Sequence, residues 1–264
     1  MRTLSLLPLL LCFILSLGAR PVTAAPLDRD QLLNEATGFF QEASQLADQS
    51  RSAELYQKAM IRFEKLVQDG VVNGKLFYNL GNTYFQLHDL GRAVLNYRRA
   101  QLYLPNDDNL RQNLLSARSQ QPDRIEPQQE EVLAKTFFFW HYDLSVGVRL
   151  FLLAVANLLL WGGLALRLHR GRGLWWPLAL TLTLVVTMAG SLLYERFGRE
   201  AQGVLVAAET TARKGDGQAY APSFSAPLHA GLEFSLVEKR GEWLYIELVD
   251  GRRCWVPVEG AEII

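Results

Sequence analysis

Cysteine is almost absent. The chain of 264 residues holds two, Cys12 and Cys254, and Cys12 falls in a segment expected to be removed. One remaining thiol excludes an internal disulfide and any cysteine-rich metal site. Histidine is nearly as scarce. His88, His141, His169 and His229 sit in four separate segments, and no HExxH spacing occurs. No metal and no cofactor is therefore expected. Net charge is lacking too, because 27 Lys and Arg balance 27 Asp and Glu. Nothing in that balance favours nucleic acid. A catalytic constellation is equally hard to assemble. A Cys254/His229 hydrolase is the one candidate, and it has no visible acidic partner, no oxyanion motif and too short an arm to fold in. The chain is expected not to be an enzyme.

What is present is apolar sequence in long runs. Residues 150–166 and 174–194 are two such runs around a short basic loop. A helix needs ~20 apolar residues to cross the hydrocarbon core, and only helices or closed barrels satisfy their backbone there. The spacing predicts a two-helix transmembrane hairpin over 147–194. Asn157 and Thr183 fall near the two helix centres, and Thr183, Thr187 and Ser191 form one stripe. Gly162, Gly163 and Gly190 allow close approach. Interhelical packing with hydrogen bonds is expected. No charge lies at depth, which argues against a transport path.

Residues 1–24 read as a secretory signal peptide. Met1-Arg2 precedes the apolar stretch Leu4–Leu17, and Val22-Thr23-Ala24 fits cleavage before Ala25. The alternatives are an uncleaved anchor and, more weakly, a lipoprotein through Cys12. Cleavage sends both arms to the outer face. Arg167, Arg170 and Arg172 in the loop agree with the positive-inside rule. The expected location is the bacterial inner membrane, with both soluble domains facing the periplasm.

Residues 25–118 have helical period. The clearest part, GKLFYNLGNTYFQLHDLGRAVLNYRRAQLYLPND at 74–107, resembles the 34-residue tetratricopeptide repeat. Phe77, Leu80, Gly81, Tyr84, Ala93, Tyr97, Ala100 and Pro105 stand at the family spacing. A degraded copy is expected one period earlier, through Leu46, Ala47, Ala59, Phe63 and Leu66. Leu114 and Leu115 belong to a capping helix begun at Asn106-Asp107-Asp108. A module of about five helices is expected. The resemblance implies a concave, protein-binding groove of Lys75, Tyr78, Asn79, Asn82, Phe85, Gln112 and Asn113, with Gln41, Ser44 and Asp48 beside it. The basic residues of the family's two-carboxylate clamp are mostly missing.

Residues 119–146 are expected to be a linker and interfacial collar. Ser119–Glu131 is polar with two prolines and reads as an extended tether. Phe137–Tyr142 is a run of six aromatic rings suited to a membrane interface. Asp143 or Ser145 is placed to cap the first membrane helix, and His141 reads as interfacial packing.

After Glu200 the period becomes that of strands, over 203–207, 232–238, 243–248 and 254–257. Arg240-Gly241 and Asp250-Gly251 mark hairpin turns. A compact barrel is expected over 201–264. The stretch LHAGLEFSLVEKRGEWLYIELVDGRRCWVPVEGAEII resembles a bacterial SH3-like domain, with Arg213-Lys-Gly215 fitting its first strand. Cys254 replaces the usual glycine, and no tyrosine follows Pro257, so proline-rich peptides are not the implied ligand. Trp243, Tyr245, Trp255 and Pro257 line the candidate groove.

Signal peptide, repeats, two-helix anchor and SH3-like domain, in that order, resemble the BatE family of Bacteroides-aerotolerance proteins. The overall expectation is a multi-domain membrane protein: an all-α tetratricopeptide-repeat superhelix, a transmembrane hairpin and a small all-β SH3-like barrel. The resemblance implies a non-enzymatic scaffold in a Bat-type stress complex. Its partners would be other proteins, including von Willebrand factor A-type membrane proteins, together with the lipid bilayer. The alternative is a peptidoglycan-binding envelope assembly protein.

Overall fold

The computed structural model describes residues 26–125, 136–142, 144–170, 175–197 and 201–264. The signal segment, residues 126–135 of the linker and residues 171–174 of the basic loop lie outside the described residues.

The N-terminal module has five helices: α1 Pro26–Gln45, α2 Gln49–Gln68, α3 Gly74–Gln86, α4 Leu90–Tyr103 and α5 Asp108–Ser119. Each packs on the next, and α3 also meets α5. Short side chains set the starts. Asp48, Asn73, Asp89 and Asp107 each accept a hydrogen bond from a backbone N–H in the first turn of the helix that follows. Such caps satisfy donors that have no partner within the helix. Two ends are closed by left-handed residues. Gly70 (φ 78°) ends α2, with Gly70 N–H on Val67 O and Val71 N–H on Leu66 O. His88 (φ 60°) ends α3 in the same way, with bonds to Phe85 and from Asp89 to Tyr84.

Ala59, Phe63, Leu66, Leu80, Ala93, Tyr97, Ala100 and Leu114 are buried together. Gly81 is there for close approach, because a Cβ would lie 2.6 Å from the Tyr97 ring. The expected degraded copy fails in its first half. The chain breaks at 46–48, where a continuing helix was expected, and Asp48 caps α2 there. Leu46 is half-buried, Ala47 exposed, and α1 and α2 each run 20 residues. Leu115 is also outside the core, being 56% exposed.

α6 Val146–Arg170 and α7 Trp175–Phe197 form an antiparallel pair. Both are long and apolar enough to cross a membrane, and only 11% and 6% of their apolar windows are buried within the chain. Their hydrocarbon surface faces outward. Ser145, not a more distant residue, meets the α6 start, accepting from Val148 N–H at 3.4 Å; Asp143 is outside the described residues. The expected threonine stripe behaves differently from a helix–helix seam. Thr183 and Thr187 donate back to Ala179 and Thr183 of their own helix. Ser191 alone of the three reaches α6. Gly163 meets Leu178 across the pair, while Gly162 and Gly190 face open space.

The C-terminal module is antiparallel. Its main sheet has the order β6-β5-β4-β1-β7, from β1 Gln202–Leu205, β4 Glu233–Arg240, β5 Trp243–Leu248, β6 Arg253–Pro257 and β7 Ala261–Ile263. β2 Glu209–Thr210 and β3 Leu228–His229 pair separately. Gly241 (φ 54°) and Gly251 (φ 80°) make the two hairpin turns. Leu205, Phe234, Leu244, Ile246, Cys254 and Val256 fill the interior, as alternation along β5 requires. Arg213 lies in no named strand; it bridges Trp255 and Pro222 instead.

The two modules are docked, not separate arms. β1 packs on α4. Val204 of β1 is fully buried in the helical core, with Val206 and Ile264 packed against it. At Gly91, a Cβ would come within 2.8 Å of Val206 Cα. Ion pairs surround this contact. Arg118 forks onto Glu233 at 2.6 and 2.9 Å, Arg98 Nε reaches the same carboxylate at 2.9 Å, and Arg99 meets Glu262 at 3.1 Å. The beginning of the linker is pinned as well. Asp123 accepts from His229 N–H at 2.7 Å and meets its Nδ1 at 2.8 Å.

Candidate functional site

Three places bring chemically distinct side chains together. The first is the α3/α5 face. Asn113 Nδ2 donates to Tyr78 Oη at 3.0 Å and to Asn82 Oδ1 at 2.9 Å. Tyr97 of α4 donates to the same Asn82 oxygen at 2.8 Å. Four residues from three helices are thus locked into one network, and three of them belong to the expected groove. Burial pushes the Tyr97 phenol up, so it stays a donor. Asn79 is half-buried, and its backbone oxygen accepts from Thr83. Lys75 and Gln112 are exposed, and Phe85 packs partly on the core. Of the residues placed beside the groove, Gln41 and Ser44 are exposed, while Asp48 serves as the α2 cap. Orientation of the two asparagines comes from the network, because each amide is held at one end and open at the other.

The second place is the outer face of the β5–β6 hairpin. Trp243 is paired with Pro257, and Tyr245 with Trp255. The four residues alternate with buried Leu244, Ile246, Cys254 and Val256, so they share one face by the period of the strand. Tyr245 and Trp255 stack at 4.9 Å and 27°. Trp255 is only 8% exposed. Arg240 covers it, with its guanidinium 5.0 Å from the ring, and is held by Asp216 and Glu238. Trp243 remains half-buried at the edge. This is an aromatic plate with an arginine lid.

The third place is a polar cluster at the end of the apolar pair, which the sequence reading did not anticipate. Arg149 of α6 is 3% exposed. Its Nη1 donates to Ser191 Oγ at 2.8 Å and lies 3.1 Å from His141 Nδ1, while Nη2 pairs with Glu195. His141 also contacts Ser191 Oγ at 2.9 Å and packs edge-on to Tyr194. His141 therefore has partners 8, 50 and 53 positions away in the chain. Its expected role as plain interfacial packing is replaced by a hydrogen-bonded one. The signal was available only as an arginine and a glutamate at the two ends of the apolar runs.

Cys254 is 1% exposed, and burial pushes its thiol up to about 12. A protonated, enclosed sulfur is a poor nucleophile. His229 is engaged by Asp123 rather than by the cysteine. Among the described residues, no group of three or more His, Cys, Asp or Glu side chains is placed to hold a metal ion. Neither a protein-family model nor a curated protein matches the chain.

Proposed function

We propose that the chain is a membrane-anchored scaffold, in which a tetratricopeptide-type helical module presents the α3/α5 face to a partner protein beside an SH3-like barrel. The observation that carries this reading is the Tyr78–Asn82–Asn113–Tyr97 network. Amides whose orientation is fixed before binding lose less freedom when they meet a peptide. The outward apolar surface of α6 and α7 supports the anchor. The family reading, a BatE-like component of an aerotolerance complex in the inner membrane with both modules in the periplasm, rests on the order of the modules.

A photo-crosslinking residue at exposed Gln112 tests the groove in cells, with exposed Glu54 on α2 as the comparison. Capture of one specific protein from position 112 and not from 54 is the expected result. Equal, diffuse capture from both would refute it.

The β5–β6 plate favours a second reading, in which the barrel binds cell-wall polymer. Sedimentation with purified peptidoglycan, compared with Trp255→Ala, decides it. Loss of co-sedimentation in the variant would support wall binding, and no co-sedimentation of the natural chain would remove it.

A further inference from the structure

The junction of helical module, linker and barrel encloses an open cleft of about 1010 Å3. Helical, linker and sheet residues form its walls, and Tyr194 of α7 borders one side. α7 ends at Phe197 and β1 begins at Gln202, so the cleft stands at the mouth of the apolar pair.

Its hydrogen-bond balance is asymmetric. Three carboxylates line it: Asp123, Glu233 and Glu247. Each is already answered within the chain. Glu233 takes both arginines of the docking clamp. Asp123 uses both oxygens on His229. Glu247 pairs with Arg253 at 2.5 Å. The cations are not exhausted in the same way. Arg118 spends Nε and Nη2 on Glu233 and keeps Nη1. Arg124 is exposed and makes no hydrogen bond or ion pair with the other described residues. The cleft thus offers guanidinium donors and no unanswered carboxylate. Guanidinium forks match phosphate oxygens in geometry and charge. Tyr194, 59% exposed, has the apolar body and polar tip that suit a membrane interface.

We propose that this cleft binds the phosphodiester headgroup of an anionic phospholipid, with Arg124 and Arg118 as donors and Tyr194 beside the glycerol region. The proposal rests on the reading of α6 and α7 as membrane helices. A lipid held there ties the docked modules to the bilayer surface and sets the direction in which the α3/α5 face points.

The test is titration of fluorescent phosphatidylglycerol and phosphatidylcholine into the detergent-solubilised full chain. Phosphatidylglycerol is expected to bind at least tenfold more tightly. Arg124→Gln should weaken it several-fold, and Arg124→Lys should restore part of the loss. Arg124 holds no hydrogen bond or ion pair among the described residues of the fold, so an unchanged unfolding temperature separates lost binding from lost fold. Equal affinity for the two lipids, or an unchanged Arg124→Gln, overturns the proposal. Inorganic phosphate that displaces the lipid at comparable concentration overturns it in favour of a soluble anion. A chain that stays monodisperse in water without detergent refutes the membrane reading itself, a separate result read before any titration.

Discussion

Gly91→Ala should pry the barrel from the helical module. The new Cβ would sit 2.8 Å from Val206 Cα and 2.9 Å from Leu205 O. Both are backbone atoms, so no rotamer change clears the space. Ordinary contact needs nearly 1 Å more. β1 cannot yield alone, because Leu205 and Val206 donate to Leu232 O and Gly260 O inside the barrel. The barrel must move as a unit, stretching the Arg99–Glu262 contact from 3.1 Å. Overpacking of this kind costs ~1–3 kcal/mol, and alanine in place of helical glycine returns up to ~1 kcal/mol. A net loss of about 1.4 kcal/mol raises the undocked population about tenfold. Tryptic cleavage after Arg118 reports that population, since Arg118 is clamped on Glu233 in the docked state and cleavage of an opened state tracks its abundance. The expected result is roughly tenfold faster cutting there, with hydrogen exchange inside β4 and β5 unchanged. Gly38→Ala is the control, because a Cβ there meets nothing within 4 Å. Equal cleavage rates for the two variants would refute the docking argument, and faster exchange throughout the barrel would show unfolding instead.

Three further outcomes follow from the same geometry. His88→Gly should stabilise the helical module by about 0.5–1 kcal/mol, because the position is left-handed and glycine adopts it without strain; a lower melting temperature would contradict this. Cys254 should resist maleimide at pH 8 until denaturant is added. Its folded value is raised, so stability is intact below pH ~9 and falls as pH rises toward 12, by about 1.4 kcal/mol per pH unit. Tyr84 and Tyr97, also pushed up by burial, add loss of the same sign above pH ~10. Denaturation titrations between pH 8 and 11 check that slope. Glu195→Gln leaves buried Arg149 without its carboxylate and should cost about 3 kcal/mol of α6–α7 association, whereas the Arg149→Met/Glu195→Gln double variant should lose less than the sum of the singles; an additive result in a steric-trapping assay would mean the pair is not coupled.

Local chemistry was the legible part. Asp48, Asn73, Asp89 and Asp107 each sit where a helix must have its first donors satisfied, and all but Asp48 fall at starts the repeat pattern required. Alternation along Trp243–Leu248 separated inner from outer residues, and Gly241 and Gly251 stand at the turns as their dipeptides indicate. The first helical pair was less legible. Its apolar residues fit the repeat period nearly as well as they fit two 20-residue helices, and the cap at Asp48 decided between them. For the candidate site, Tyr78, Asn82 and Asn113 came from the repeat spacing, but Tyr97's bond to Asn82 did not, since nothing in the pattern says which way a buried tyrosine points.

Local spacing was enough for the helix starts of the 74–119 region, the apolar faces of the strands, and the two segments that are apolar throughout. These depend on side chains a few positions apart, whose geometry the backbone fixes. Long-range packing is what seats the barrel on α4, brings Glu233 to arginines 115 and 135 positions earlier, lays Arg240 over Trp255, and joins His141, Arg149 and Glu195. Such contacts join residues that no local period relates. Charge pairing alone could not select them either, because 27 cations and 27 carboxylates allow many pairings. Burial of Val204 in the helical core and the bare Cα of Gly91 are what hold the two modules in the one arrangement where these partners come within reach.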